Sequence, residues 1–468
     1  MFMENKEIDI AHSKLNMASY GFGKFLWEFL SMAFGAFVYF YYESELGLAA
    51  WVTAFGYIIF AIWNAVNDPL IGYLIDRPFK FTKKWGRRFP FVFVGGIPWI
   101  ISYVLLFTPP DVDPVSGMWI LFAWLVVTTC LYDTFGSIFN VSFYSIFPDK
   151  FRAVDERRNA SGISTLVGTF GVALGAIVPP LFIVFGDKST YTMQSGVVLM
   201  IGLIALALCI PGAREDQERI DCYLDTCEEG EEKASFFKTL KKCLKQKNFV
   251  AFIFAYIFYR SLVMMIVASL PYMARFIFEM EASSLTLIMG AFLIGSFVSI
   301  PVWIKIAQKT NDNRKTYMYA AFLMTILTGL LFFVQDYYVM VLMVFFWGMG
   351  LGGFWVMIDP TFGDVIDESV ITTEKREEGI YIGIQAFFSR MAMIVQAVCF
   401  AVIHILTGFV EGGGPEAQPD SALLGIRIHL ALLPMIFIFM AGFILWKFYD
   451  LTPEKVAINK EKLAKLGL

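Results

Sequence analysis

Apolar runs of about twenty residues recur along the chain, separated by short polar segments. A helical run of that length crosses roughly 30 Å of hydrocarbon. The pattern predicts twelve membrane-spanning helices, over 18–43, 47–76, 89–109, 117–147, 160–186, 193–212, 247–275, 283–308, 316–334, 337–366, 378–409 and 422–448. Several exceed the minimum length, which permits tilt. A Glu-rich polar stretch from Arg214 to about Lys247 separates the sixth span from the seventh. The expected organisation is a six-helix bundle over 1–213, a linker over 214–246, a second six-helix bundle over 247–450 and a tail over 451–468. Within the linker, 234–246 reads as a short basic amphipathic helix suited to a leaflet surface.

Basic residues fall on alternate loops. One set holds Arg77, Lys80, Lys83, Lys84, Arg87 and Arg88, then Lys150, Arg152, Arg157 and Arg158, then Lys305, Lys309, Arg314 and Lys315. The other set holds only Lys188, Arg275 and Arg427. Basic loops stay cytoplasmic, so both termini and the linker are expected inside a cell (plasma) membrane that the chain crosses many times. The polar start, with Glu4, Lys6, Glu7 and Asp9, lacks the layout of a cleaved signal peptide. Composition agrees: 57% of residues are hydrophobic, only 17% are charged and 49 are Phe. Three of the six cysteines lie in apolar spans and three in the linker, with no histidine near the latter. Free thiols are expected rather than a metal site.

Against this background, Asp68 is conspicuous. It lies inside the apolar run from Trp63 to Gly72, where a charge costs a few kcal/mol unless it finds a partner, a cavity or a proton. Asn64 precedes it by four residues and shares its helix face. On the fourth span, Asp133, Ser137, Asn140 and Tyr144 are spaced four, three and four apart and form one polar stripe, with Phe135, Phe139 and Phe143 on other faces. Asp133 is either an added cation-binding carboxylate or a helix-packing partner. Glu28 is either paired with Lys24, one turn earlier, or acts as a substrate acceptor or proton carrier. Trp27, Tyr144 and Trp355 suit stacking on a sugar ring, lining for an apolar chain, or plain packing. Arg260 and Arg390 are permanent charges that need anions, Asp68 or Asp133 for Arg390 and Asp359 or a substrate anion for Arg260. Only three histidines occur, His12, His404 and His429, and neither His-Glu-x-x-His nor a nucleotide loop is present. A membrane-embedded enzyme is not expected, nor is nucleic-acid binding.

Several motifs occur in order along the chain. They are Ser19-Tyr20-Gly21-Phe22-Gly23, Trp63 to Gly72 with Asp76-Arg77, Trp85-Gly86-Arg87-Arg88-Phe89-Pro90 and Asp155-Glu156-Arg157-Arg158. Gly363-Asp364-Val365-Ile366-Asp367-Glu368 and Arg376-Glu377-Glu378-Gly379 follow. Together they resemble the glycoside–pentoside–hexuronide:cation symporter family, the melibiose permease-like group of the major facilitator superfamily, to which the animal lysolipid symporters are related. The resemblance implies an all-α polytopic membrane protein of twelve transmembrane helices in two six-helix halves. It implies symport of a sugar or glycoside with Na+ or H+ by a monomer, with no other cofactor; lysolipid or amphiphile symport and an uncoupled facilitator are the alternatives. It places substrate contacts on Trp27, Glu28, Asn140, Tyr144, Trp355 and Arg390. Cation coupling falls on Asn64, Asp68, Asp133 and Ser137, with Asp68 and Asn64 as metal ligands if the ion is sodium. Gating salt bridges fall on Asp76, Arg77, Asp364, Asp367 and Arg376. Three departures stand out: Asn64 and Asn140 are neutral where the melibiose permease-like pattern has aspartates, and Ser161 replaces an arginine.

Overall fold

The computed structural model describes residues 12–75, 82–151, 154–217, 220, 240, 243–373 and 378–466. Every regular element among them is helical. In chain order the long helices are α1 (Lys14–Glu45), α2 (Ala50–Ile75), α3 (Phe89–Leu106), α4 (Met118–Lys150), α5 (Val154–Ile177) and α6 (Lys188–Ala213). They continue with α7 (Lys247–Ile277), α8 (Ser284–Thr310), α9 (Asn313–Leu331) and α10 (Tyr337–Thr373). Then come α11 (Glu378–Ser389 and Met391–Thr407) and α12 (Asp420–Lys447), and a shorter α13 (Pro453–Leu466) ends the fold. Eleven of the twelve long helices are long and apolar enough to cross a membrane. The exception, α9, has 19 residues and opens on Arg314 and Lys315. It still buries Tyr317, Ala320, Ala321, Met324 and Thr328, against α10 and α12.

Three helices, α1, α6 and α9, begin where short polar side chains replace the missing intrahelical partners. Ser13 accepts from the Asn16 N–H at 3.2 Å, Asp187 from Ser189 at 3.0 Å and Asp312 from Lys315 at 2.9 Å. Such caps satisfy amides the helix leaves free. The span expected over 378–409 is α11, whose regular helix pattern is interrupted at Arg390 alone, a residue that keeps helical backbone angles.

The chain forms two compact units. Unit 1 comprises Met1–Tyr42 and Ile62–Glu232, and unit 2 comprises Glu43–Ala61 and Lys233–Leu468. The last residues of α1 and the first half of α2 therefore belong to unit 2.

In unit 1, α1 packs along α5 and α6, and α3 packs against α4. Gly171 and Gly175 lie one turn apart on α5. A side chain at either would run into the carbonyl oxygen of Phe25 or Phe29 on α1. Small residues let membrane helices approach backbone to backbone and gain dispersion where no hydrophobic effect drives association. One end of the unit is fastened by polar groups. Glu215 accepts from the backbone N–H groups of Arg87 (3.2 Å), Arg88 (2.7 Å) and Phe89 (2.9 Å), an anion at the start of α3. The preceding Gly86 has φ +88°, with Glu215 where a Cβ would lie, which explains the glycine of the Trp85–Pro90 motif. The Lys150 ammonium donates to the Gly212 and Arg214 carbonyls at 2.8 and 2.9 Å. His12 lies between Glu156 (2.7 Å) and Asp216 (3.2 Å).

In unit 2, α8 and α10 meet through glycines from both sides. Gly295 abuts the Phe345 carbonyl, Gly348 that of Phe292, and Gly352 the Ser299 hydroxyl. Helix α7 packs against α12. Three helices contain a π-turn, Tyr41–Glu45 in α1, Met273–Ile277 in α7 and Ile428–Leu432 in α12. Each adds one residue to a turn and re-aims the side chains around it, a local device frequent at functional sites.

Candidate functional site

The polar stripe of α4 faces α2 through three rungs within unit 1. Trp63 Nε1 donates to Thr134 Oγ1 at 3.0 Å. Asn67 Nδ2 donates to Asp133 Oδ2 at 3.1 Å, and Ser137 Oγ donates to Asp68 Oδ1 at 2.5 Å. Asp133, Ser137 and Asn67 are buried, while Asp68 and Asn64 are half-buried. Asp68 and Ser137 together offer oxygen ligands of the kind that hard cations take, and Asn64 stands one turn away on the same helix.

Asn140 continues the stripe, and its Oδ1 is buried with no hydrogen-bond partner among the described residues. A buried amide oxygen without a donor costs about 1–3 kcal/mol. Tyr144 is 41% exposed, with its phenol close enough to Glu28 for electrostatic interaction. The Lys24 ammonium donates to Thr165 Oγ1 on α5 at 3.0 Å. Trp27 is half-buried, with its ring 5.3 Å from that of Trp99. Trp99 in turn lies on Phe139, which stacks on Phe143. The Phe positions of α4 thus build an aromatic wall behind the polar stripe. Trp27, Glu28, Asp68, Asp133, Ser137, Asn140 and Tyr144 all belong to unit 1.

In unit 2, Trp355 on α10 is half-buried beside Phe292 and Phe297 of α8. Arg390 occupies the interruption in α11, and its Nη1 donates to Ser389 Oγ at 3.1 Å. Arg260 is half-buried, with a buried Nε that has no hydrogen-bond partner among the described residues, and Asp359 is exposed. Asp364 is buried and accepts from Asn313 Nδ2 at 2.9 Å, and Asp367 is half-buried one turn on. Asp76, Arg77 and Arg376 lie outside the described residues, as does most of 234–246.

Sequence reasoning passed over Asn67 and Thr134, although each is adjacent to a residue it singled out, Asp68 and Asp133. It also passed over a second polar cluster, in unit 2. Glu43 is fully buried, with Oε1 2.9 Å from His404 Nδ1, and it accepts from the Tyr272 hydroxyl. His429, also fully buried, meets Ser269 Oγ at 2.7 Å. The signal that exposed Asp68, an ionisable residue inside an apolar run, was present at 404 and 429 too. Among the described residues, no three His, Cys, Asp or Glu side chains are grouped to hold a metal ion.

Known proteins place this architecture. The chain is 24% identical over 458 residues to the uncharacterized symporter YnaJ of Bacillus subtilis, covering 95% of this chain and 93% of that one. It is 20% identical to the sodium-dependent lysophosphatidylcholine symporter 1-A of Danio rerio, over 86% of this chain and 79% of the relative. In three dimensions it resembles a bacterial homologue of the iron transporter ferroportin in an inward-facing state. That likeness has a TM-score of 0.63 at 12% identity and covers 93% of this chain and 97% of the other; it speaks to the fold alone. Residues 19–453 match the MFS/sugar transport protein family. With twelve long helices and no regular element other than helix among the described residues, and a match of that extent, the chain belongs to the MFS/sugar transport protein family of multi-pass membrane transporters.

Proposed function

We propose that this protein is a secondary active symporter that uses a Na+ or H+ gradient to concentrate a sugar or glycoside by alternating access. The observation that carries the reading is Asp68, a carboxylate within a membrane-spanning helix that accepts a short hydrogen bond from Ser137. A carboxylate there has a use that justifies its cost: it binds the coupling cation when the hydroxyl turns from donor to ligand. Asn64 and Ser137 complete its oxygen set, and Asp133 sets the local charge. We assign substrate contacts to Trp27, Glu28, Asn140 and Tyr144 in unit 1 and, within unit 2, to Trp355 and Arg390. Asp76, Arg77, Asp364, Asp367 and Arg376 are assigned to gating. The distribution of Lys and Arg supports a plasma-membrane topology with both termini cytoplasmic.

A second reading has its own support. Six of the similar proteins are sodium-dependent lysophosphatidylcholine symporters, at 18–21% identity, and Asn64 and Asn140 are neutral. Uptake of labelled sugars and lysolipids into proteoliposomes, under a sodium gradient and then a proton gradient, separates the readings. Sugar accumulation under either gradient is the expected result and names the ion. Lysolipid movement alone would promote the second reading. Transport without gradient dependence would remove Asp68 as a coupling group.

A further inference from the structure

We infer that Glu43, His404 and His429 form a proton-binding site inside unit 2, separate from the carboxylate on α2. The three residues come from the π-turn of α1, from α11 and from the π-turn of α12, and Tyr272 immediately precedes the π-turn of α7. All are buried: Glu43 and His429 are 0% exposed and His404 is 1% exposed.

One arrangement of protons satisfies these contacts with Glu43 ionised: Oε1, 2.9 Å from His404 Nδ1, accepts from an Nδ1–H, and Oε2 accepts from the Tyr272 O–H. Ser269 Oγ lies 2.5 Å from the Met265 carbonyl, one turn back, and 3.3 Å from the His429 carbonyl. With its hydrogen on either carbonyl, its oxygen accepts from His429 Nδ1–H. Both imidazoles thus use Nδ1 as donor, and neither Nε2 has a hydrogen-bond partner among the described residues. With neutral rings the cluster carries one buried negative charge held only by neutral donors, an expensive arrangement. One proton on the histidine pair makes the cluster neutral.

Neighbouring charges do not serve instead. From the same π-turn of α1, Glu45 faces Arg275 of α7 at 2.8 Å, so that pair is internally balanced. From the loop after α11, Glu411 accepts the Ala50 N–H. On α12, Arg427 donates to the Phe332 and Val334 carbonyls. The surroundings also suit a cation. The two imidazole rings lie 5.2 Å apart, Phe409 stacks on His404 at 4.4 Å and Phe400 lies 4.3 Å from His429. Aromatic faces at such distances attract a cation, more so when water is excluded.

The site also links protonation to structure. Glu43 opens the 43–61 stretch that belongs with unit 2, and its carboxylate is the anion that holds the proton. Docking of that carboxylate on α7 and α11 favours the proton, and by reciprocity the proton favours docking.

The chain has three histidines, so the test is direct. Histidine-selective 15N labelling of the full-length protein in liposomes gives three imidazoles, which His12→Gln and His404→Gln assign. Spectra from pH 4.5 to 9.5 should show an imidazolium at His404 or His429 within the range. Glu43→Gln should abolish it, while Tyr272→Phe, which leaves the carboxylate one donor short, should extend it to higher pH. Unchanged His12 signals report that unit 1 is intact in each variant. The wild-type titration itself needs no variant. Two neutral rings at every pH would overturn the inference. So would an imidazolium that survives Glu43→Gln, or a Tyr272→Phe profile identical to the parent's.

Discussion

Asp68 and Glu43 are both carboxylates in membrane-spanning helices, yet they are accommodated in different ways. Asp68 lies in mid-helix, half-buried, with a serine hydroxyl as partner. Glu43 lies in a π-turn at a helix end, fully buried, with an imidazole and a phenol as partners. A hydroxyl can donate or accept, so Asp68 can exchange it for a cation and keep its place. An imidazole can take up the compensating charge itself, so Glu43 needs no visitor other than a proton. The same functional group is thus suited to ligand exchange in unit 1 and to charge storage in unit 2.

The sharpest way to break this contrast is Asp68→Asn. The expected result is loss of gradient-driven accumulation to the level of protein-free liposomes, with substrate counterflow preserved, both measured in proteoliposomes. A variant that still concentrates substrate would show that coupling does not pass through Asp68. The matching change in unit 2, Glu43→Ala, should act on stability first. It strands the Tyr272 hydroxyl and the His404 N–H, and breaking a buried pair from one side costs about 3 kcal/mol. Thermal melting in detergent should fall clearly, and Glu43→Gln should recover much of the loss by keeping polar atoms in place.

The two sites also differ in how far the sequence reveals them. Twelve helices follow from the length and spacing of apolar runs, because hydrocarbon thickness imposes a length on every span. Asp68 stands out because nothing else in the Trp63–Gly72 run is ionisable, and the 4-3-4 spacing on α4 places Ser137 and Asp133 on one face. Glu43 looks instead like the polar end of a span, since Ser44 and Glu45 follow it. Its burial depends on α7, α11 and α12, which lie more than two hundred residues away. Helix periodicity cannot report such a meeting, nor a π-turn.

Asp133 sharpens the comparison within unit 1, since it is both a member of the proposed cation site and the acceptor of Asn67. Asp133→Asn should raise the half-saturating cation concentration about tenfold, equivalent to about 1.4 kcal/mol, without abolishing accumulation. An unchanged half-saturation combined with a lowered melting temperature would assign the Asn67–Asp133 bond to helix packing alone.

Asp450, at the end of a span, supplies the scale for the fully buried Glu43, because water still reaches it. It follows α12 and accepts from Asn248 at 2.8 Å, with Lys455 at 3.0 Å and Lys247 at 3.8 Å. Partial burial raises its pKa, but the Asn248 and Lys455 hydrogen bonds and the two lysine charges outweigh it, and the carboxyl lies below the usual aspartate range. A depressed native pKa contributes stability in full above the unfolded value, about 3.9, and that contribution disappears as the pH falls through the native value. Asp450→Asn should therefore lower stability near pH 7 by only about 0.5 kcal/mol, as exposed pairs do. The difference in melting temperature between variant and parent should close as the pH is taken below 4, and should shrink with added salt. A gap that persists in acid would mean that Asp450 acts through the Asn248 hydrogen bond, with no part played by its charge, and that the lysines around it are bystanders.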